Sequence, residues 1–102
     1  MIHELKIWPE FYMPVVEGKK TFEIRKNDRD FKVGDELYLR EWIPEGVEWA
    51  PPGYTGWDAT ARILYVLPVD KVEMAGMTWE NAVIMGIWVF SANGPTGKVR
   101  RY

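Results

Sequence analysis

Lys20, Glu23 and Arg25 fall within six residues of one another, in the run Gly18-Lys19-Lys20-Thr21-Phe22-Glu23-Ile24-Arg25-Lys26. A guanidinium offers a planar fork that suits a phosphate or a base edge, whereas an ammonium is a compact point charge. A lysine beside a second cation can have its pKa lowered into the range of a base or nucleophile. Glu23 opposes that, because a nearby carboxylate stabilises the ammonium form. The trio therefore favours binding or electrostatic stabilisation over lysine nucleophilicity. The competing reading is a surface ion-pair cluster on a solvated strand, which is common and individually worth little. Spacing alone leaves both open.

Thr21, Lys26 and Arg29 complete the candidate ligand-binding set with Lys20, Glu23 and Arg25. Lys26, Arg29 and Lys32 suit phosphate tracking or a solvated loop equally well. His3, a lone histidine among alternating apolar residues, is read first as structural. Trp8 and Tyr12 suit a cleft mouth or, more simply, core packing. Trp49, Tyr54 and Trp57 suit base stacking, since single-stranded nucleic acid is often held by aromatics beside cations. The alternative is that they fold their loop onto the body of the protein. Lys98, Arg100 and Arg101 make a short basic tail with no specific role assigned.

Positioning the trio depends on the elements around it. His3, Leu5 and Ile7 alternate with polar residues and predict a first strand. Trp8-Pro9-Glu10 reads as a helix entry, with Phe11/Val15 and Tyr12/Val16 spaced for an apolar face and Gly18 as the C-terminal cap. Pro14 predicts a kink, or a regular part starting near Met13. Lys20 to Lys26 is a strand, because Thr21, Phe22 and Ile24 are β-formers with a period of two. Parity then constrains the site. If Phe22 and Ile24 face the core, Glu23 and Arg25 face away from it. Lys20 joins them only from the turn before the strand, where Gly18 eases the chain reversal and the Lys20 ammonium reaches toward Glu23.

Asn27 to Asp30 is a turn, and Gly34-Asp35 is another. Glu36 to Ile43 is a strand with Leu37 and Leu39 on one face and Tyr38, Arg40 and Trp42 on the other. Pro44 to Trp57 reads as a long connection rich in Pro, Gly and Trp. Thr60 to Leu67 is a strand whose second half is apolar on both faces and so expected to be covered. Val69 to Asn81 is mixed, with a short helical turn. Ala82 to Phe90 is taken mostly as a buried strand, and Ser91 to Tyr102 as a polar, flexible tail. The pattern is α+β and mainly β. A sheet curled into a small β-barrel, with one helix after the first strand plugging a side, would bury the apolar faces.

Composition sets the outer limits. With 102 residues, one domain spanning 1–102 is expected. Hydrophobic residues at 47% make the chain a globular one rather than a disordered one. It has no cysteine and one histidine, so a disulfide framework, a thiolate metal site and a histidine-rich zinc site are excluded. No cofactor is implied. The start shows no signal-peptide pattern, the longest apolar run is too short for a membrane helix, and a cytoplasmic protein with no membrane partner is expected. Net charge is −2, which argues against a DNA-coating protein. Residues 18–40 nevertheless hold seven basic against five acidic side chains.

Gly18-x-Lys20-x-x-Glu23-x-Arg25 matches the G-x-K-x-x-E-x-R signature of ASCH domains, in the PUA-like superfamily. The wider run from His3-Glu4-Leu5-Lys6-Ile7-Trp8-Pro9 through Thr21 to Phe31 and Gly34-Asp35 resembles small ASCH-like proteins of phages and bacteria. The resemblance spans residues 3–43, and by order of elements extends to Phe90. It implies a PUA-like barrel with a cleft between barrel and helix, and RNA or a nucleotide as the partner. A similar small bacterial type hydrolyses the acetyl amide of N-acetylated cytidine with a lysine, a threonine and a glutamate. Lys20 matches that lysine, but Glu23 stands where the threonine would be.

Three functions follow as expectations. The first is RNA or nucleotide binding through Lys20, Glu23 and Arg25. The second is a small amidohydrolase on a modified nucleoside, with Lys20 as base or nucleophile and Glu23 or Glu80 assisting. The third is a phage-type interaction module using the aromatic segment from Trp42 to Trp57.

Overall fold

The computed structural model describes residues 1–74 and 76–94. Its order is β1 (Ile2–Ile7), α1 (Pro9–Val16), β2 (Phe22–Lys26), β3 (Glu36–Ile43), β4 (Gly53–Met74) and β5 (Met77–Asn93). The five strands form one mixed sheet in the order β1-β3-β4-β5-β2. β1 runs parallel to β3, which the intervening helix makes possible, and the remaining pairings are antiparallel.

Alternation along β1 buries His3, Leu5 and Ile7, and along β3 buries Leu37, Leu39, Glu41 and Ile43. Ala59, Ala61 and Ile63 of β4 and Val83, Met85 and Ile87 of β5 complete this inner face. Helix α1 lies over it through Tyr12 and Val15, both fully buried. Burying a side chain of Val or Leu size contributes roughly 1.5–3 kcal/mol. That docking matters because eight residues are too few for a helix stable on its own.

The helix is regular from Pro9, contrary to the late start expected from Pro14. In so short a helix Pro14 removes one backbone bond, the one to the Glu10 carbonyl. The first turn closes when the N–H groups of Phe11 and Tyr12 each donate to the Trp8 carbonyl at 3.0 Å. Beyond the last turn, the N–H groups of Lys19 and Lys20 both donate to the Pro14 carbonyl, at 3.0 and 2.9 Å. Gly18, at φ +78°, supplies the left-handed step of this turn.

Four expectations are corrected. The sheet does not close into a barrel: β1 and β2 are its two edges, with no backbone ladder between them among the described residues. Pro44 to Trp57 is not all connection, since β4 begins at Gly53 and pairs with Trp42 and Ile43. Val69 to Asn81 holds no helical turn. It forms the outer part of a long β4–β5 hairpin that stays paired to Met74 opposite Met77. Finally, Leu64, Tyr65 and Leu67 are exposed, not covered. The register shifts between Ile63 and Tyr65, where the hairpin grows past the area that α1 protects. The expected flexible tail is strand as far as Asn93, and its remainder, 95–102, with Lys98, Arg100 and Arg101, lies outside the described residues.

Candidate functional site

Among the described residues, edge strand β2 pairs only with β5, placing Glu23 opposite Met85 and Arg25 opposite Val83. Met85 and Val83 are fully buried, so Glu23 and Arg25 share the inner face of the sheet with them. The parity predicted from the sequence is therefore right in its grouping and inverted in its direction. Glu23 is 4% exposed and Phe22 is 41% exposed. An ionised carboxylate at such a depth needs partners. It has two: the Lys20 ammonium at 3.4 Å from Oε1 and an Arg25 Nη2 at 3.4 Å from Oε2. Lys20 reaches it from the turn before β2, as the sequence leads one to expect, and its ammonium also lies near the rings of Phe11 and Phe22.

Arg25 does a second thing. Its Nη2 donates to the Lys6 carbonyl at 2.5 Å, across the gap between the two sheet edges. Arg29, from the loop after β2, donates to the Glu4 carbonyl on the same edge of β1 at 3.3 Å. Two side chains thus occupy carbonyls that a ladder would use in a closed barrel, and they blunt an edge that would otherwise offer itself for pairing.

Between these edges opens a cleft of about 190 Å³. Glu23 and Arg25 form its polar wall, Trp8 and Phe11 its helix side, Lys6 an edge, and Trp79 the side contributed by the β4–β5 hairpin. An apolar enclosure with a few convergent polar groups is the usual form of a small-ligand site. Two further hollows carry the remaining candidates, and the second of them shares Arg25 and Trp79 with the cleft. One, of about 200 Å³, carries Lys20, Thr21 and Gly18 beside Trp88. The other, of about 210 Å³, carries Arg25, Lys26, Asp28 and Arg29 over Phe31, with Trp79 again at its side. The six candidate residues are therefore distributed over three hollows, with the Glu23 carboxylate joining Lys20 to Arg25.

The other sequence candidates divide. Trp8 lines the cleft, while Tyr12 is core and its hydroxyl donates to the Asp58 carbonyl at 2.6 Å. Tyr54 packs edge-on against Trp42 at 4.9 Å, Trp57 packs against the core, and Trp49 is exposed on the loop. Lys32 pairs with Asp30 away from the cleft. Glu80 is exposed opposite Lys71. His3 is buried against Phe31 and lies 2.8 Å from Asp35. Asp35 also receives the N-terminal amine and the Lys32 N–H, each at 3.2 Å. The hydrogen bond from His3, together with that amine, holds the Asp35 carboxyl down at about 2 against the opposing effect of desolvation. Trp79, Met77 and Lys6 were not singled out from the sequence. The signal that bore on Trp79 was the alternation Met77, Trp79 across polar Thr78 and Glu80, a strand period within a segment read as mixed.

Among the described residues no cluster of three His, Asp or Glu side chains is placed to hold a metal ion, and no helix is long and apolar enough to cross a membrane.

Comparison with known proteins agrees with the phage-type resemblance at a coarse level. Over 62 residues the chain is 44% identical to an "Uncharacterized 12.9 kDa protein in GpA 3'region" of Escherichia phage P2. That match covers 61% of this chain and 50% of the phage protein, so the chain spans about half the length of the curated relative it matches. The family model described as "Domain of unknown function (DUF3850)" matches residues 2–87, and the chain belongs to that family.

Proposed function

We propose that this member of the DUF3850 family binds RNA or a nucleotide, taking a single base into the cleft between β1, α1 and β2. The observation that carries the reading is the joint lining of one cavity by Trp8, Phe11 and Trp79 with Glu23 and Arg25. Aromatic faces stack any base at roughly 1–3 kcal/mol each, and a guanidinium reads a base edge or a phosphate. Glu23 holds Lys20 and Arg25 in place and lowers the local excess of positive charge. The ASCH-like signature at Gly18, Lys20, Glu23 and Arg25 supports the same reading. A cavity of about 190 Å³ takes one heteroaromatic ring and not a duplex.

The amidohydrolase alternative gains nothing from the geometry. The Lys20 ammonium is turned onto the Glu23 carboxylate at 3.4 Å and lines a different hollow from the aromatic cleft, and Glu80 does not line the cleft. The aromatic-segment alternative loses Trp57 to core packing and keeps Trp49 and Tyr54 exposed, the latter with its ring edge-on to Trp42.

The test is fluorescence anisotropy with a labelled, mixed-sequence single-stranded RNA of eight nucleotides. Binding is expected, and Arg25→Ala is expected to weaken it by about tenfold or more, the scale of one charge-assisted contact. Arg25→Ala that binds as tightly as the parent, with the fold intact by circular dichroism, removes this cleft as the site.

A further inference from the structure

The described lysines and arginines are nearly all neutralised within the protein. Lys19, Lys20, Arg25, Arg29, Lys32, Arg40, Arg62 and Lys71 each lie within ion-pair distance of a carboxylate. Two do not. Lys6 sits 3.9 Å over the Trp42 ring and lines the base-sized cleft. Lys26 is exposed on β2 and lines the adjoining hollow with Arg25 and Arg29. The unpaired positive charge of the described chain thus collects along one connected depression. Arg25 and Trp79 belong to both of its compartments and form the partition between them.

Their chemistry differs. The first compartment is ringed by aromatic faces. In the second, three cations (Arg25, Lys26 and Arg29) face one carboxylate, Asp28, which lies 3.7 Å from Arg29. That excess persists when Glu23 is counted against Arg25. A ring beside a cationic hollow, with a guanidinium at the junction, matches a base and the phosphate attached to its sugar.

We infer that the ligand carries a phosphate as well as a base, with the base in the aromatic cleft and the phosphate in the hollow lined by Arg25, Lys26 and Arg29. This rests on the base-binding reading above and adds to it a separate subsite for the phosphate, beside the cleft that takes the base. Trp79 is the element that sets the distance between the two compartments. Lys26 is the cation left without a carboxylate to receive the phosphate.

Intrinsic tryptophan fluorescence titrations of the full chain test this with three probe sets: the four ribonucleosides, their 5′-monophosphates, and an unlabelled mixed-sequence RNA of eight nucleotides. At least one phosphate-bearing set is expected to bind ten or more times tighter than the nucleosides, on the order expected for one charge-assisted contact. Lys26→Glu, on an exposed position, is expected to weaken that set by about tenfold and so close the gap. Preference for monophosphates marks a free nucleotide as the source, and preference for the oligomer marks the RNA backbone. For the oligomer, Lys26→Glu also reduces the salt slope by about 0.7, one phosphate contact. Nucleosides that bind as tightly as both phosphate-bearing sets, with Lys26→Glu without effect, overturn the phosphate site and leave the base cleft standing. No binding by any probe overturns the base cleft and the phosphate site with it.

Discussion

Two carboxylates in this protein each gather two cationic or protonatable groups, and they do it differently. Asp35 is contacted at 2.8 Å by His3 and at 3.2 Å by the N-terminal amine, and its remaining capacity takes the Lys32 N–H. These groups tie the start of β1 to the loop entering β3, and none of them lines any of the three hollows. Glu23 is buried more deeply, yet its two partners stand off at 3.4 Å, and it forms a wall of the cleft. Short, mutually satisfying contacts around Asp35 fit a staple. Longer contacts at the edge of an opening leave Lys20 and Arg25 free to exchange part of their interaction with Glu23 for a ligand. Bond length and access, rather than the residue types, separate the two.

Breaking the staple should cost the most. His3→Ala removes a buried ring stacked at a tilt on Phe31 and leaves Asp35 without its shortest bond. A loss of about 3 kcal/mol in unfolding free energy is expected, from the cavity and the lost polar partner together. Urea denaturation measures it. A loss under about 1 kcal/mol would mean that the Asp35 cluster does not hold the fold and that the contrast is misdrawn.

The open cluster should respond in affinity instead. Trp79→Ala removes the partition of the cleft but no core residue, and RNA binding should weaken by about tenfold, the value of one stacking surface. Stability should shift by about 0.5 kcal/mol or less. Equal binding by this variant would take the hairpin out of the site. A gentler change sharpens the role of Glu23. Glu23→Gln keeps an oxygen to orient Arg25 and removes a negative charge from the wall. Affinity for phosphate-bearing probes should rise about threefold, a modest Coulomb gain in a partly solvated site. A tenfold fall would show that Glu23 itself contacts the ligand.

How far the sequence foretold this contrast depends on the range of the interactions involved. β1 and β3 were legible because one buried face imposes a period of two, and the limits expected for β3, Glu36 to Ile43, are those observed. The approach of Lys20 to Glu23 was legible because Gly18 and parity are local constraints. The face of β2 was not, because Phe22 and Ile24 look like core residues. What put Glu23 inward was the pairing with β5, whose inner face carries Val83 and Met85. Trp79 was hidden for a related reason. Its segment is strand only because Val72 lies opposite it in a hairpin that carries it to the cleft. The barrel expectation failed at its seam, where Arg25 and Arg29 bridge to β1 by side chains and no backbone ladder forms. The alternating neighbours of His3 point to a structural role, but its partner Asp35 lies far along the chain and only the fold brings the two together.

The smallest effect concerns acid. In the folded protein the Asp35 carboxyl titrates at about 2, below its ordinary value of 3.8. A depressed carboxylate binds fewer protons folded than unfolded, so it adds stability that is complete above the unfolded value. That contribution is lost as pH falls from about 4 through about 2, where both forms become protonated. Thermal unfolding followed across this range should therefore show a declining limb, superimposed on the general effect of titrating other carboxylates. Asp35→Asn is expected to be less stable at neutral pH and to show a shallower limb, because its amide does not titrate. The two proteins should draw together in stability toward pH 2, where the parent carboxylate no longer carries its charge. Parallel limbs in the two proteins would show that Asp35 titrates alike in both states, and the staple would then lose its electrostatic basis.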